Sequence, residues 1–134
     1  MDSVKDIHAL ISCVEKFHDS FGISNNYEPT TQLSQQDIQL RFDLLKEENE
    51  EYINAAKSGD MVEVADALGD LMYILFGTIM KHGMQHKIVE VFEEIQRSNM
   101  SKLGEDGKPI YREDGKVLKG PNYFKPDIKS ILNQ

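Results

Sequence analysis

The sequence predicts an all-α fold. Three observations carry that prediction. Apolar residues recur at steps of three and four over most of the first 101 positions. Start and stop residues sit at the ends of those runs, at Gly22, Ser34, Gly59, Asp60 and Gly83. Beyond Lys102 the helical period is lost and turn residues take over. The chain of 134 residues reads as one domain, with a helical core over about 1–102 and a C-terminal arm over about 103–134.

The first helix spans about 2–21, because Val4, Ile7, Leu10, Ile11, Val14, Phe17 and Phe21 form one apolar stripe ended by Gly22. Residues 22–33, with Asn25, Asn26 and Pro29, read as a loop. The second helix starts at Ser34, with Asp37 three residues on, and stops at Gly59. Asp60 then caps a third helix, with Glu63 at the capping-box position, and that helix runs to about Lys81. A fourth covers about 85–101 with Ile88, Val91, Phe92 and Ile95 inward. In the arm, Ile110-Tyr111-Arg112 and Lys116-Val117-Leu118 are placed to pair around Asp114-Gly115 as a short hairpin, or to remain irregular. The architecture is thus a four-to-five-helix bundle with an arm.

Net charge is −8. A protein that grips nucleic acid by neutralising phosphates is basic, so no nucleic-acid partner is expected. Residues 1–101 hold 8 basic and 18 acidic side chains, and residues 102–134 hold 7 and 5. An acidic body with a mildly basic tail suits a divalent cation and a small phosphorylated ligand, and equally a solvated surface that maintains solubility. One cysteine, Cys13, excludes a disulfide framework and a Cys-based zinc site, and reads as a core residue. The opening residues show no basic, apolar leader pattern, so a reducing cytoplasm is the expected compartment.

On a helical wheel of the second helix, Ile38, Phe42, Leu45, Tyr52 and Ala56 form one stripe, and Leu40, Leu44 and Ala55 a second. Glu47, Glu48 and Glu51 fall on the second stripe, and Glu50 falls among the polar residues. Three carboxylates on a half-buried face repel one another unless a cation sits between them. No Lys or Arg lies three or four residues from Glu48, though a charge run can simply be a solvated face.

Val64 to Met80 holds two charges, Asp66 and Asp70, in an otherwise nearly apolar run, which reads as a buried central helix. The run is too short and too acidic to span a membrane. Two buried Asp on one face are costly unless a metal or a basic partner such as Arg41 or Arg97 neutralises them. Glu63 forms a Glu63-x-x-Asp66 pair, but its capping position explains it without a site. An all-oxygen set of this kind suits Mg²⁺ or Mn²⁺ and not Zn²⁺. The histidines offer less: Gly83 interrupts His82-x-x-x-His86, and His8 and His18 lack ligand company on the first helix. Met72, Met80 and Met84 read as core filling.

Leu44-Leu45-Lys46-Glu47-Glu48-Asn49-Glu50-Glu51 resembles the EExxE motif of the all-α nucleoside triphosphate pyrophosphohydrolases. That superfamily includes MazG, the phosphoribosyl-ATP pyrophosphohydrolases and the dimeric dUTPases. Asp66-Ala67-Leu68-Gly69-Asp70-Leu71-Met72-Tyr73 is similar to its second motif. Arg97-Ser98-Asn99-Met100-Ser101-Lys102, with Asp106-Gly107-Lys108-Pro109 and Asp114 to Gly120, looks like a MazG-like branch close to the phosphoribosyl-ATP type. The resemblance covers about residues 34–125. The family writes the second motif ExxD; here Ala67 stands three before Asp70, and Asp66 supplies an acid at i,i+4 instead.

The resemblance implies Mg²⁺-dependent hydrolysis of a nucleoside triphosphate to the monophosphate and pyrophosphate, with a nucleotide-pool role. Phosphoribosyl-ATP hydrolysis and a non-catalytic nucleotide- or metal-binding helical dimer are the alternatives. It implies Glu47 and Glu48 as catalytic candidates and Glu48, Glu51, Asp66 and Asp70 as metal ligands. It also implies a homo-oligomer, at least a dimer. Arg97, Asn99, Lys102, Arg112, Lys116 and Lys119 are the candidates for substrate binding, since Lys and Arg bind phosphate oxygens and Asn99 suits a phosphate or a sugar hydroxyl. Tyr111 and Tyr123 stack on a base or pack the arm. Gly115, Gly120, Pro121 and Pro126 suggest an arm able to close over a nucleotide.

Overall fold

The computed structural model describes residues 6–134; Val4, which opens the predicted first helix, lies outside them. Five helices are found among the described residues, and the only β pairing there is one isolated bridge, so the chain is all-α as expected. The chain divides into two compact units, one ending at His86 and the other running Lys87–Gln134. The fourth helix therefore belongs with the arm.

In the first unit, α1 spans Ile7–Ser20 and starts where Asp6 accepts the Ala9 N–H. It buries Ile11, Val14 and His18. Cys13 is exposed, not a core residue, because it points away from that stripe. α2 covers Gln35–Ser58, and α3 covers Met61–Lys81. Their junction is set locally. Ser34 caps the Asp37 N–H, Gly59 takes the left-handed φ of 72°, and Asp60 caps the Glu63 N–H. That two-residue connection brings α2 and α3 side by side, and α1 packs on α3.

The loop between α1 and α2 closes over the C-terminal end of α3, where helical carbonyls lack intrahelical partners. Asn26 N–H donates to Met80 O at 3.0 Å, and Asn26 Nδ2 donates to Lys81 O at 2.7 Å. Lys81 is buried, donates to Ser24 O at 2.8 Å, and lies 3.7 Å from Asp37. The His82 ring is tied to Thr30 O, so it belongs to this closure.

α3 is not buried all round. Ala67, Phe76, Gly77 and Met80 are buried, yet Leu68, Met72, Tyr73 and Leu75 are 40–48% exposed. Its partners α2 and α1 cover only part of its circumference, so Met72 is surface and Met80 alone of the three methionines is fully buried. On α2 the face buried against α3 carries Arg41 and Ala55, and the stripe with Ile38, Phe42 and Tyr52 is exposed.

In the second unit, α4 spans Ile88–Met100, starting three residues later than its predicted onset. Gln85 is drawn inward to donate to Asn26 O, and no side chain caps Lys87. Phe92 and Ile95 are exposed and not inward as expected, since within this unit only the arm and α5 lie against α4. The arm is laced to α4. Ser98 Oγ donates to Phe124 O at 2.8 Å, Phe124 N–H donates to Ser101 Oγ at 3.2 Å, and Gly120 N–H donates to Lys102 O at 2.8 Å. Tyr111 and Val117 form an antiparallel bridge around the predicted turn. A short α5, Ile128–Leu132, was not anticipated; Asp127 caps it through Ser130.

Candidate active site

Arg41, Leu44, Glu48 and Ala55 recur on one face of α2 at steps of three, four and seven, so the turn that buries Ala55 also carries Glu48 into the seam with α3. Glu48 is half-buried, whereas Glu47 and Glu51 are exposed. Glu48 Oε2 is fully buried and accepts no hydrogen bond. Its carboxyl is pushed up to about 7 by loss of solvent, then by a hydrogen bond to Glu51 and by the negative charges of Glu51, Asp70 and Glu47. Asp70 on α3 is half-buried and is also raised, first by burial and then by Asp66 and Glu51. Asp66 is exposed, not buried as expected, because it stands where the seam opens to solvent.

No basic side chain neutralises this set. Arg41 donates to Thr78 Oγ1 at 3.0 Å and Ile74 O at 2.9 Å, and Arg97 is bound to Glu94. The expected ion pairs of Asp66 or Asp70 with these arginines are not formed. A buried carboxylate oxygen without a donor, beside acids that hold one another's charge in check, is matched by a hard cation and by nothing else among these side chains. The donor chemistry thus fits Mg²⁺ or Mn²⁺. Among the described residues no three His, Cys, Asp or Glu side chains converge closely enough to hold a metal ion.

Next to these acids lies an open cavity of about 630 Å³ lined by Glu51, Asn54, Ala55, Ser58, Glu63 and Asp66. Glu63 is the residue that the sequence reading left out. Its backbone N–H is capped by Asp60, but the reciprocal half of a capping box is absent: Asp60 N–H donates to Ala55 O, so the Glu63 carboxylate is not held at the cap. The Glu63-x-x-Asp66 spacing was the signal that marked it.

The six cationic and amide candidates lie in the second unit. Arg97 pairs with Glu94 at 2.8 Å and lies 4.4 Å from the centre of the Phe124 ring. Arg112 pairs with Asp114, and Lys116 N–H donates to the same carboxylate. Lys119 lies 4.8 Å from the centre of the Tyr123 ring. Asn99 is exposed and Lys102 half-buried, and the Lys102 N–H donates to Asn99 O. Arg97, Arg112 and Lys119 thus already have partners within their own unit, and Tyr123 serves as the platform for Lys119.

No helix of the described residues is long and apolar enough to cross a membrane. In comparisons with known proteins, an uncharacterised protein of Acanthamoeba polyphaga mimivirus is 30% identical over 87 residues, which cover 63% of this chain and 35% of that protein. The chain therefore spans about a third of the length of the curated relative it matches. The crystal structure of a candidate NTP pyrophosphohydrolase from Exiguobacterium sp. 255-15 is 23% identical, with a TM-score of 0.47 and coverage of 97% of this chain and 94% of that one. The model of one family, phosphoribosyl-ATP pyrophosphohydrolase, matches residues 14–99, a span that contains α2, α3 and all the acids described above. By that match the chain belongs to the phosphoribosyl-ATP pyrophosphohydrolase family.

Proposed function

We propose that this protein hydrolyses a (deoxy)nucleoside triphosphate to the monophosphate and pyrophosphate, using Mg²⁺ or Mn²⁺, in nucleotide-pool maintenance in the cytoplasm. The observation that carries the reading is the Glu48 carboxylate: driven into the α2–α3 seam, without a donor at Oε2, and flanked by Glu51 and Asp70. Glu48, Glu51, Asp66 and Asp70 would hold the metal. When bound, the cation supplies positive charge against phosphate oxygens and acidifies a water molecule.

The protein's own residues do the rest. Glu47 or Glu48 orients the attacking water and accepts its proton; a carboxylate in the seam is a better acceptor than a solvated one. As the water oxygen bonds to phosphorus, the α–β phosphoanhydride breaks and pyrophosphate separates from the monophosphate. Asn99, Lys102 and Lys116, with Arg97, Arg112 and Lys119 if their present partners yield, supply donors for phosphate oxygens. The exposed apolar stripes, Ile38, Phe42 and Tyr52 on α2 and Leu68, Met72 and Leu75 on α3, support a homo-oligomer of at least two copies.

A second reading, hydrolysis of phosphoribosyl-ATP, is favoured by the description of the matching family. One experiment separates the readings. Pyrophosphate release is measured from a panel of (d)NTPs and from phosphoribosyl-ATP, with either cation, for wild type, Glu48→Gln and Asp70→Asn. Metal-dependent release lost in both variants supports hydrolysis, and the best substrate ranks the two readings. A folded protein that binds nucleotide and turns over none of them is instead a binding module.

A further inference from the structure

A second, smaller cavity of about 190 Å³ opens in the first unit, away from the acids. Met80 on its wall is ten residues beyond Asp70 on α3, about 15 Å along the helix axis at 1.5 Å per residue. Its floor is apolar, formed by Ile11 and Met80, and its rim carries the imidazoles of His8 and His86.

Gln85 is the informative residue. It is only 6% exposed, and its Nε2 donates to Asn26 O at 2.9 Å, which fixes which way the amide faces. The opposite atom, Oε1, lines this cavity's side of the residue, is fully buried and accepts no hydrogen bond. A buried acceptor left unmatched is costly, and buried acceptors in folded proteins are matched by a donor. The nearby Glu15 carboxylate is already engaged, since Tyr27 donates to it at 2.7 Å. The volume is several times the ~30 Å³ share of one water molecule. An ammonium ion would satisfy Gln85 but leave Ile11 and Met80 facing empty or wet space. A flat ring bearing an amino group satisfies both, with the thioether of Met80 against the ring.

The geometry points to a binding site here for a planar amino-heterocycle of the nucleobase class, with its exocyclic amino group donating to Gln85 Oε1 and its ring against Ile11 and Met80. The cavity is too small for a nucleoside triphosphate, so the ligand is the free base. The inference goes beyond the hydrolase reading and does not depend on it.

The test titrates the full chain with adenine and with purine, which lacks only the amino group, and follows the histidine ring resonances. Adenine is expected to shift His8 and His86 saturably. His18 and His82 serve as controls, since Asn25 and Thr30 hold their rings elsewhere. Purine should bind about tenfold more weakly, and Gln85→Leu should lose about tenfold in adenine affinity, the range expected for one unmatched buried acceptor. Glu48→Gln should leave adenine binding unchanged. Because Gln85 also holds the α1–α2 loop, Ser12→Phe provides a second variant; Ser12 is exposed on α1 and lines the cavity, so the ring fills it in a folded protein and abolishes the shifts. Any of four results overturns the inference: no shift at either histidine, equal affinity for adenine and purine, shifts that persist in Ser12→Phe, or shifts given by adenosine triphosphate and not by adenine.

Discussion

The Arg41 guanidinium lies against the bare Cα of Gly77: a Cβ at that position would stand 2.7 Å from Arg41 Nη2 and 2.9 Å from His18 Nε2. Both side chains are buried and both are held, Arg41 by Thr78 and Ile74 O, His18 by Asn25. Burial lowers the Arg41 pKa, so desolvation outweighs the help of Asp37. Gly77 is therefore the space in which α2, α1 and α3 meet around a buried cation.

Gly77→Ala should destabilise the protein. Alanine favours a helix over glycine by about 1 kcal/mol. Overpacking and lost hydrogen bonds to a charged group each cost about 1–3 kcal/mol. A net loss of about 1–3 kcal/mol in urea unfolding is expected. A variant as stable as wild type would mean that Arg41 relocates freely.

Asp60 and Glu63 should separate stability from activity. Asp60 caps α3, and its replacement by alanine should cost about 1 kcal/mol while leaving turnover per folded molecule unchanged. Glu63 lines the cavity beside Glu51 and Asp66, so Glu63→Gln should lower kcat/KM by about tenfold or more with unfolding unchanged. Equal effects of both variants on activity would return Glu63 to a capping role.

Glu94 should make the arm acid-sensitive. Its carboxyl is held below the ordinary value of 4.5, first by the Arg97 guanidinium and then by the Asp127 N–H. A depressed carboxylate binds fewer protons folded than unfolded, so its contribution is present above the ordinary pKa and is lost as pH falls through the folded value. Amide exchange at Asp127 should therefore accelerate below about pH 4, and Glu94→Gln should show fast exchange at neutral pH as well. Exchange independent of pH in the wild type, once its intrinsic rate is divided out, would remove Glu94 from the lacing.

The exposed stripe on α2 should hold a second copy. Phe42 is 59% exposed beside Leu45 and Leu71, in an open cavity of about 400 Å³. Phe42→Asp should shift sedimentation towards the monomer without unfolding the chain, because a surface charge costs little in a monomer and much in an apolar interface. A wild-type monomer at all concentrations would reject the partner.

The ends of α2 and α3 were legible because each is set within four residues: Ser34 reaches Asp37, Asp60 reaches Glu63, and Gly59 alone accepts the left-handed turn at no steric cost. The acids were legible as a set for the same reason, since spacing on a helix puts side chains on one face. Burial was not. The apolar run of α3 promised burial all round, but the single chain covers only one side, so Asp66, Met72 and Leu75 are exposed.

The sequence by itself determined the helical class, the junction of α2 with α3 and the acidic set, all consequences of local hydrogen bonding and helical period. Tertiary structure alone decided that Glu48 of the three glutamates enters the seam, that Arg41 turns to Thr78 rather than to an aspartate, that Glu63 is released from its cap, and that Ser98 and Ser101 lace the arm to α4. Each of these depends on which distant backbone or side chain removes water from the group, and that partner is tens of residues away along the chain.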